Sequence, residues 1–255
     1  MVETGEPIRS EILAVPHGFF GRRLSGGGDG GAELNVQDDS QADRAIVEAN
    51  RRRIADAVLP DAPLALVEQV HGIAVHVLNA DDDPASMLKA DAIVTRQTGV
   101  VLGIVTADCA PVLLADEQSG VIAAVHAGWR SAHHGVLEST LRYMEMLGAT
   151  RDRIHAAIGP CIAQQSYEVG LDFRERFEDE GMKRFFTLGK PGKWQFDLPA
   201  YVGARLQSCR IAAIDDLAVD TYENPERFFS FRRALYEGSP TYLRQLSAIG
   251  LPVRS

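Results

Sequence analysis

The sequence is poor in cysteine, has no excess of basic charge and contains no long apolar run, and each shortage removes a class of protein. Its three cysteines, Cys109, Cys161 and Cys209, are odd in number and far apart, a pattern of reduced thiols rather than of a disulfide framework. Lys and Arg total 26 against 35 Asp and Glu, a formal charge of −9. That balance argues against nucleic acid or an anionic membrane surface as a partner, although one local cationic pocket can still take a small anion. The longest apolar stretches fall far short of the roughly 20 residues that cross a bilayer. Residues 1–15 hold Glu3, Glu6 and Glu11 and no basic leader segment, so no secretory signal is expected. The expectation is a cytoplasmic protein with no membrane or nucleic-acid partner.

What is present suits one large core. At 255 residues a single domain buries roughly three quarters of its unfolded surface and needs no metal or disulfide to fold. The one biased segment, "SGGGDGGAELNV" at 25–36, satisfies G-x-G-x-x-G through Gly26, Gly28 and Gly31. It lacks the helix start that a dinucleotide site requires and reads as a flexible loop. Residues 40–58 predict an amphipathic helix capped by Ser40, with Ala42, Ala45, Ile46, Ala49 and Ala57 recurring at helical spacing. Residues 62–79 predict strand, a break at Gly72, then strand; "KADAIVT" and "GVVLGIVT" predict two buried strands. Helices are expected over 135–147 and near 169–180 and 199–208, with a strand running into a turn over 153–162 and strands around 210–220 and 227–232. Elements mix without strict βαβ alternation, which favours an α+β layered fold over a doubly wound sheet.

"TADCAPVLLADEQSGVIAAVHAGWR", residues 106–130, predicts a hairpin in which Asp116 and Val121 flank the turn "EQSG". His126 then faces Pro111, and Cys109 lies two residues further along on the same face. Diagonal neighbours sit about 7–8 Å apart at the backbone, a gap that zinc bonds of about 2.3 Å to sulfur and 2.0 Å to nitrogen can span. Pro111 has no ladder donor, so a fray or bulge is expected there. His71, in "EQVHG", is expected to end a strand just before a glycine break, where a side chain can be aimed into a cleft. Three protein ligands with an open position make a catalytic zinc site, whereas structural zinc wants a fourth ligand, usually with C-x-x-C spacing, and none exists. On spacing alone, packing roles for these residues stay open.

The motifs "EQVHG", "TADCAPVLL", "AAVHAGWRS", "IGPCI" with "YEVG", and "FFSFRR" resemble, in order, those of the laccase-domain family, also named multicopper polyphenol oxidoreductase and purine nucleoside phosphorylase. "HGFFGRRLSGG", "ELNV" and "VEANRRR" resemble its N-terminal signatures, so the likeness runs from about residue 17 to 233. The resemblance implies one domain over 1–255 with an αββα layered fold and mixed β-sheets. It implies zinc on His71, Cys109 and His126, copper being possible in the same site, since copper outcompetes zinc in affinity. It also implies purine nucleoside chemistry with phosphate as co-substrate: phosphorolysis of adenosine, inosine, guanosine and methylthioadenosine, and deamination of adenosine. We expect a monomer. The sequence departs from the pattern at "GGGD" (26–29), at Asp220, where a cysteine is usual, and throughout 234–255.

The chemistry names further candidates. A divalent ion brings the pKa of bound water toward about 7, and a carboxylate should move the proton; Asp108 is the candidate, although adjacent strand residues point apart and a turn-capping role is as plausible. Phosphate favours guanidinium forks, offered by Arg51, Arg22 and Arg130, although three consecutive arginines at 51–53 also suit a solvated face. Trp129 could stack on a base or pack in the core. Gln69 and Asn35 could read purine edges or serve turns. His133 and His134 read as surface residues, and Cys161 as a small hydrophobe. Two other readings compete: metal-free hydrolysis of a cell-wall precursor with Cys109 as nucleophile and His126 as base, and a copper-dependent polyphenol oxidoreductase. Seven histidines without a His-x-His pair are few for multicopper chemistry.

Overall fold

The computed structural model describes residues 5–25, 33–38, 43–177, 180–239 and 242–253. Among them the strands are β1 (His17–Phe19), β2 (Leu64–Ala65), β3 (Val75–Leu78), β4 (Ala92–Thr95), β5 (Val100–Thr106), β6 (Ala110–Asp116), β7 (Val121–Ala127), β8 (His155–Ile158), β9 (Glu168–Gly170), β10 (Phe186–Leu188), β11 (Lys193–Phe196), β12 (Ala213–Asp216) and β13 (Gln245–Leu251). The helices are α1 (Arg44–Val58), α2 (Trp129–His134), α3 (Val136–Met146), α4 (Leu171–Arg174), α5 (Leu198–Ser208) and α6 (Phe231–Tyr236). A four-stranded sheet has the order β1-β13-β5-β2, a six-stranded sheet β12-β8-β6-β7-β4-β3, and a small sheet β10-β11-β9. Both larger sheets are mixed: β2–β5, β3–β4 and β12–β8 are parallel, the other pairs antiparallel.

The two-residue period of the strands sorts their side chains into layers. Ile93, Leu113, Ala115, Ile122 and Ala124 of the six-stranded sheet meet Val100, Leu102, Ile104 and Ile249 of the four-stranded sheet in one core. The opposite face of the six-stranded sheet, with Val94, Val112, Leu114, Ala123 and Val125, packs on Leu137, Leu141, Tyr201 and Val202 of α3 and α5. Across the other sheet, Val101, Leu246 and Ala248 pack on Ile54 and Val58 of α1. The order is therefore helix, sheet, sheet, helix, as the αββα expectation has it. Strands covered on both faces read as continuous apolar runs, which is why "KADAIVT" and "GVVLGIVT" show no alternation.

The β6–β7 hairpin has the expected register, with Asp116 opposite Val121 and Pro111 opposite His126. The expected fray at Pro111 does not occur. His126 N–H donates away from the hairpin, to Asp91 O, at 2.8 Å, and Pro111 O accepts from Gly159 N–H at 2.9 Å. Their pair thus needs no bond across the hairpin, and the missing proline donor leaves no gap.

Several other expectations are corrected. Helix α1 is capped by Asp43, which accepts from Ala45 N–H at 3.0 Å; the expected cap Ser40 lies outside the described residues. Its buried stripe is Val47, Asn50, Ile54, Ala55 and Val58, while Ile46 is 57 % exposed; counting only apolar residues missed a face that includes Asn50. The helix expected near 169–180 is a single turn, α4, because β9 and β11 pair over Gly170 and Lys193. The strand expected at 227–232 is irregular chain leading into α6.

Candidate metal centre

Cys109 sits where the chain leaves one sheet for the other, in the three-residue link between β5 and β6. Asp108 makes the corner with φ +83°, a left-handed conformation unusual outside glycine. Its carboxylate holds that corner: Oδ1 accepts from the Thr221 hydroxyl at 2.7 Å, and Oδ2 from the Ser230 hydroxyl at 3.0 Å and Arg232 N–H at 2.6 Å. Burial pushes the Asp108 carboxyl up, against these bonds. Asp108 therefore ties the cysteine loop to the first turn of α6.

His126 is 3 % exposed near the end of β7. Its Nδ1–H donates to Asp91 Oδ1 at 2.8 Å, which leaves Nε2 as the nitrogen that faces the thiol. Asp91, fully buried, also fixes the second histidine. It accepts from His71 N–H at 2.9 Å, Gly72 N–H at 2.6 Å and Val70 N–H at 3.2 Å. His71 does not end a strand; it occupies a turn at φ +59°, wrapped around that carboxylate. Burial would raise the Asp91 carboxyl, but His126 and these backbone donors lower it. One carboxylate thus sets the ring orientation of one histidine and the backbone of the other. The sequence reading missed Asp91, since a lone Asp beside an apolar run carries no spacing signal.

The donor atoms of His71, Cys109 and His126 all lie within 4.8 Å of one another. Cys109 Sγ is 4.0 Å from His71 Nε2, and the two imidazoles meet edge to face at 4.7 Å between centroids. Bonds of about 2.3 and 2.0 Å at a tetrahedral angle would place sulfur and nitrogen about 3.5 Å apart, so a small inward rotation closes the set around an ion. Gly128 leaves the space: a Cβ there would stand 3.1 Å from Cys109 Sγ and 3.2 Å from His71 Cδ2. One thiolate and two imidazoles, one of them oriented by a buried carboxylate, fit a divalent zinc or copper ion with an open position. Burial alone would raise the Cys109 thiol, yet the His126 charge and hydrogen bonds from both histidines bring it down to about 6. Burial would likewise lower His126, but the Cys109 thiolate and Asp91 lift it to about 9.

Two cavities share the wall formed by His71, Ala107, Cys109 and Phe231. One, about 220 Å³, is faced by Trp129, Tyr167, Ile162 and Leu198, with Arg130 and Arg232 as its cations. The other, about 210 Å³, is faced by Gln69, Val105, Thr106, His126, Tyr242 and Arg244.

Of the expected substrate-binding residues, Arg130 and Gln69 line these cavities, and Arg51, Asn35 and Arg22 do not. The Gln69 amide is committed at both ends to Val105 of β5, donating at 2.7 Å and accepting at 2.9 Å. Arg51 donates to Val36 O at 2.8 and 3.1 Å. Asn35 Oδ1 accepts from Arg244 N–H at 3.1 Å. Arg22 pairs with Glu33 and lies 5.0 Å from the Phe229 ring centroid. Trp129 packs tilted against Phe173, 4.7 Å between centroids, while still facing the cavity. Arg232, Tyr167, Phe231, Tyr242 and Arg244 were not singled out; "FFSFRR" held the signal for two of them.

The model of the multi-copper polyphenol oxidoreductase laccase family matches residues 16–251. The chain belongs to this family. A Deinococcus radiodurans protein named purine nucleoside phosphorylase is 38 % identical over 259 residues, covering 100 % of this chain and 96 % of the relative. A Xylella fastidiosa protein of the same name is 40 % identical over 197 residues, covering 73 % and 74 %. A crystal structure from Neisseria meningitidis aligns with TM-score 0.76 and 29 % identity over 87 % of both chains. Bacillus licheniformis YfiH shares the fold, with TM-score 0.81 and 23 % identity over 92 % of both.

Departures from the family pattern have visible consequences. Asp220, one of the departures expected from the resemblance, accepts from the Ser166 hydroxyl at 2.6 Å, Ala163 N–H at 3.2 Å and Tyr222 N–H at 2.9 Å, and so knits the loop after Cys161. The divergent 234–255 segment supplies β13, an interior strand of its sheet. "GGGD" at 26–29 lies outside the described residues.

Proposed function

We propose that this chain is a zinc-dependent purine nucleoside enzyme that phosphorolyses adenosine, inosine, guanosine and methylthioadenosine and deaminates adenosine. The observation that carries this reading is the cluster of His71, Cys109 and His126 opening onto two cavities; the name borne by its relatives supports the substrate class. Zinc would be held by those three side chains and, when bound, would supply the Lewis acidity that lets water act as a nucleophile near neutral pH. The purine lies against Trp129, Tyr167 and Phe231, whose ring faces suit a flat heterocycle. Asp91 keeps His126 in the tautomer that presents Nε2. Asp108, with both oxygens taken, positions Arg232 rather than moving a proton. The whole chain acts as one domain, as a monomer in the cytoplasm, where its thiols stay reduced.

A thiolate beside an imidazolium also suits a nucleophilic Cys–His hydrolase, and this is the second reading. The copper oxidase is weaker: among the described residues no second group of His, Cys, Asp and Glu converges on one point, and His17 and His133 are engaged by Ser10 and Tyr201. The deciding experiment incubates the protein with adenosine and phosphate and resolves adenine, ribose-1-phosphate and inosine by chromatography. Those products are expected; their absence, with release of an amino acid from a cell-wall precursor instead, would favour the hydrolase.

A further inference from the structure

The cavity on the β5–β13 side of the cluster, about 210 Å³, far exceeds the roughly 10–15 Å³ that one water needs. None of its lining residues is a carboxylate. Two of its donors, by contrast, are short of acceptors. Among the described residues the Arg244 guanidinium makes one hydrogen bond, from Nη2 to the Tyr242 hydroxyl at 2.5 Å, and lies 4.9 Å from that ring. Thr106 is 2 % exposed, yet its hydroxyl has no partner. Buried polar groups without partners are rare, and each calls for a ligand, ion or water. A guanidinium with unused donors and a buried hydroxyl without a partner, facing one cavity free of carboxylates, call for an oxyanion.

We propose that this cavity is the inorganic-phosphate subsite of phosphorolysis, with Arg244 and Thr106 as its main contacts; this rests on the nucleoside reading above. Arg244 is held for the task, its N–H donating to Asn35 Oδ1 at 3.1 Å and its carbonyl accepting from Val36 N–H at 3.2 Å. The opposite cavity is less suited to a free anion. Its cations, Arg232, which donates to Glu168 O at 2.8 Å and lies 5.1 Å from Tyr167, and Arg130 over Trp129, are engaged much as Arg244 is, but Asp108 sets a carboxylate beside them. The ribose C1′ then sits where the two cavities meet, beside the residues they share, His71, Ala107, Cys109 and Phe231. A phosphate oxygen forms its bond to ribose C1′ from one side while the C1′–N9 bond breaks on the other. The electron pair leaves with the purine, and the proton of hydrogen phosphate ends on that base.

The test titrates inorganic phosphate into the zinc-loaded full-length protein by calorimetry, for wild type, Arg244→Gln, Thr106→Val and Arg130→Gln. Loss of a hydrogen bond to a charged group predicts at least about tenfold weaker binding for Arg244→Gln, a smaller loss for Thr106→Val, and partial recovery in Arg244→Lys. The adenine-to-inosine ratio formed from adenosine and phosphate should fall in parallel. Wild-type phosphate affinity in Arg244→Gln, or a greater loss in Arg130→Gln, overturns the subsite. Phosphate binding lost in Arg244→Gln, in a protein that turns over no nucleoside, sinks the nucleoside reading while the anion site stands.

Discussion

Replacing Asp91 by asparagine should damage the metal site and the fold together. The carboxylate accepts four donors, from His126 Nδ1 and the backbone of Val70, His71 and Gly72. An amide accepts at one end only. With its oxygen toward His126 and His71, its NH₂ group confronts the N–H groups of Val70 and Gly72. Two buried donors without partners cost about 1–3 kcal/mol each, hence about 2–6 kcal/mol in all. At this chain size a kilocalorie moves Tm by about 2–4 °C, so a fall of roughly 5–20 °C is expected. In the flipped orientation His126 Nδ1–H has no acceptor, and the ring shifts its proton to Nε2, which closes the lone pair that faces the thiol. Loss of such an orienting carboxylate typically weakens metal affinity by about 10–100-fold. Competition against a chromophoric zinc chelator measures that affinity, and scanning calorimetry measures Tm. Zinc affinity within about threefold of wild type, with Tm unmoved, would refute the assignment of Asp91 as the group that sets both histidines.

Gly128→Ala places a methyl about 3 Å from the sulfur and the His71 ring, at a φ of −63° that any residue adopts; zinc content should fall several-fold while far-UV circular dichroism stays native. In chelator-stripped protein the alkylation rate of Cys109 should rise with pH through a midpoint near 6, and His126→Ala should move that midpoint toward the ordinary value of about 8.5. A wild-type midpoint at the ordinary value would count against the ion pair. Asp116 is fully buried and accepts from Arg153 at 3.0 and 3.2 Å and from Thr150 N–H at 2.9 Å. Burial raises its carboxyl, but these bonds outweigh it and lower it. The unfolded chain therefore binds more protons below about pH 4, so the stabilisation holds above that pH and disappears as pH falls through the depressed native value. Denaturant melts from pH 7 to 3 should show a shallower acid limb for Asp116→Asn.

The legible part of the site was local. The hairpin register followed from one turn, and it brought Cys109 and His126 to one end of one face. The αββα layers followed from the family motifs. What stayed hidden depends on contacts distant in sequence: Asp91 meets His71 across a turn and His126 across a strand pair, and neither contact has a fixed spacing. Asp108 was expected as the proton-moving carboxylate or as a turn cap, and its partners, Thr221 and Ser230, lie more than a hundred residues on, where no local spacing could show them. Asn35 and Gln69 carry amides able to read a base, yet the backbone of β5 and of the segment before β13 takes those groups first. Strand β13 itself was not read, because the divergent segment matched no motif and its alternation is masked by burial on both faces.

The most direct measurement is removal and return of the metal. Wild-type protein dialysed against a strong chelator should lose nucleoside turnover and regain it on addition of about one zinc per chain, and Cys109→Ala should not respond at any zinc level. Full turnover by the stripped protein, or by Cys109→Ala, would contradict the account at its centre.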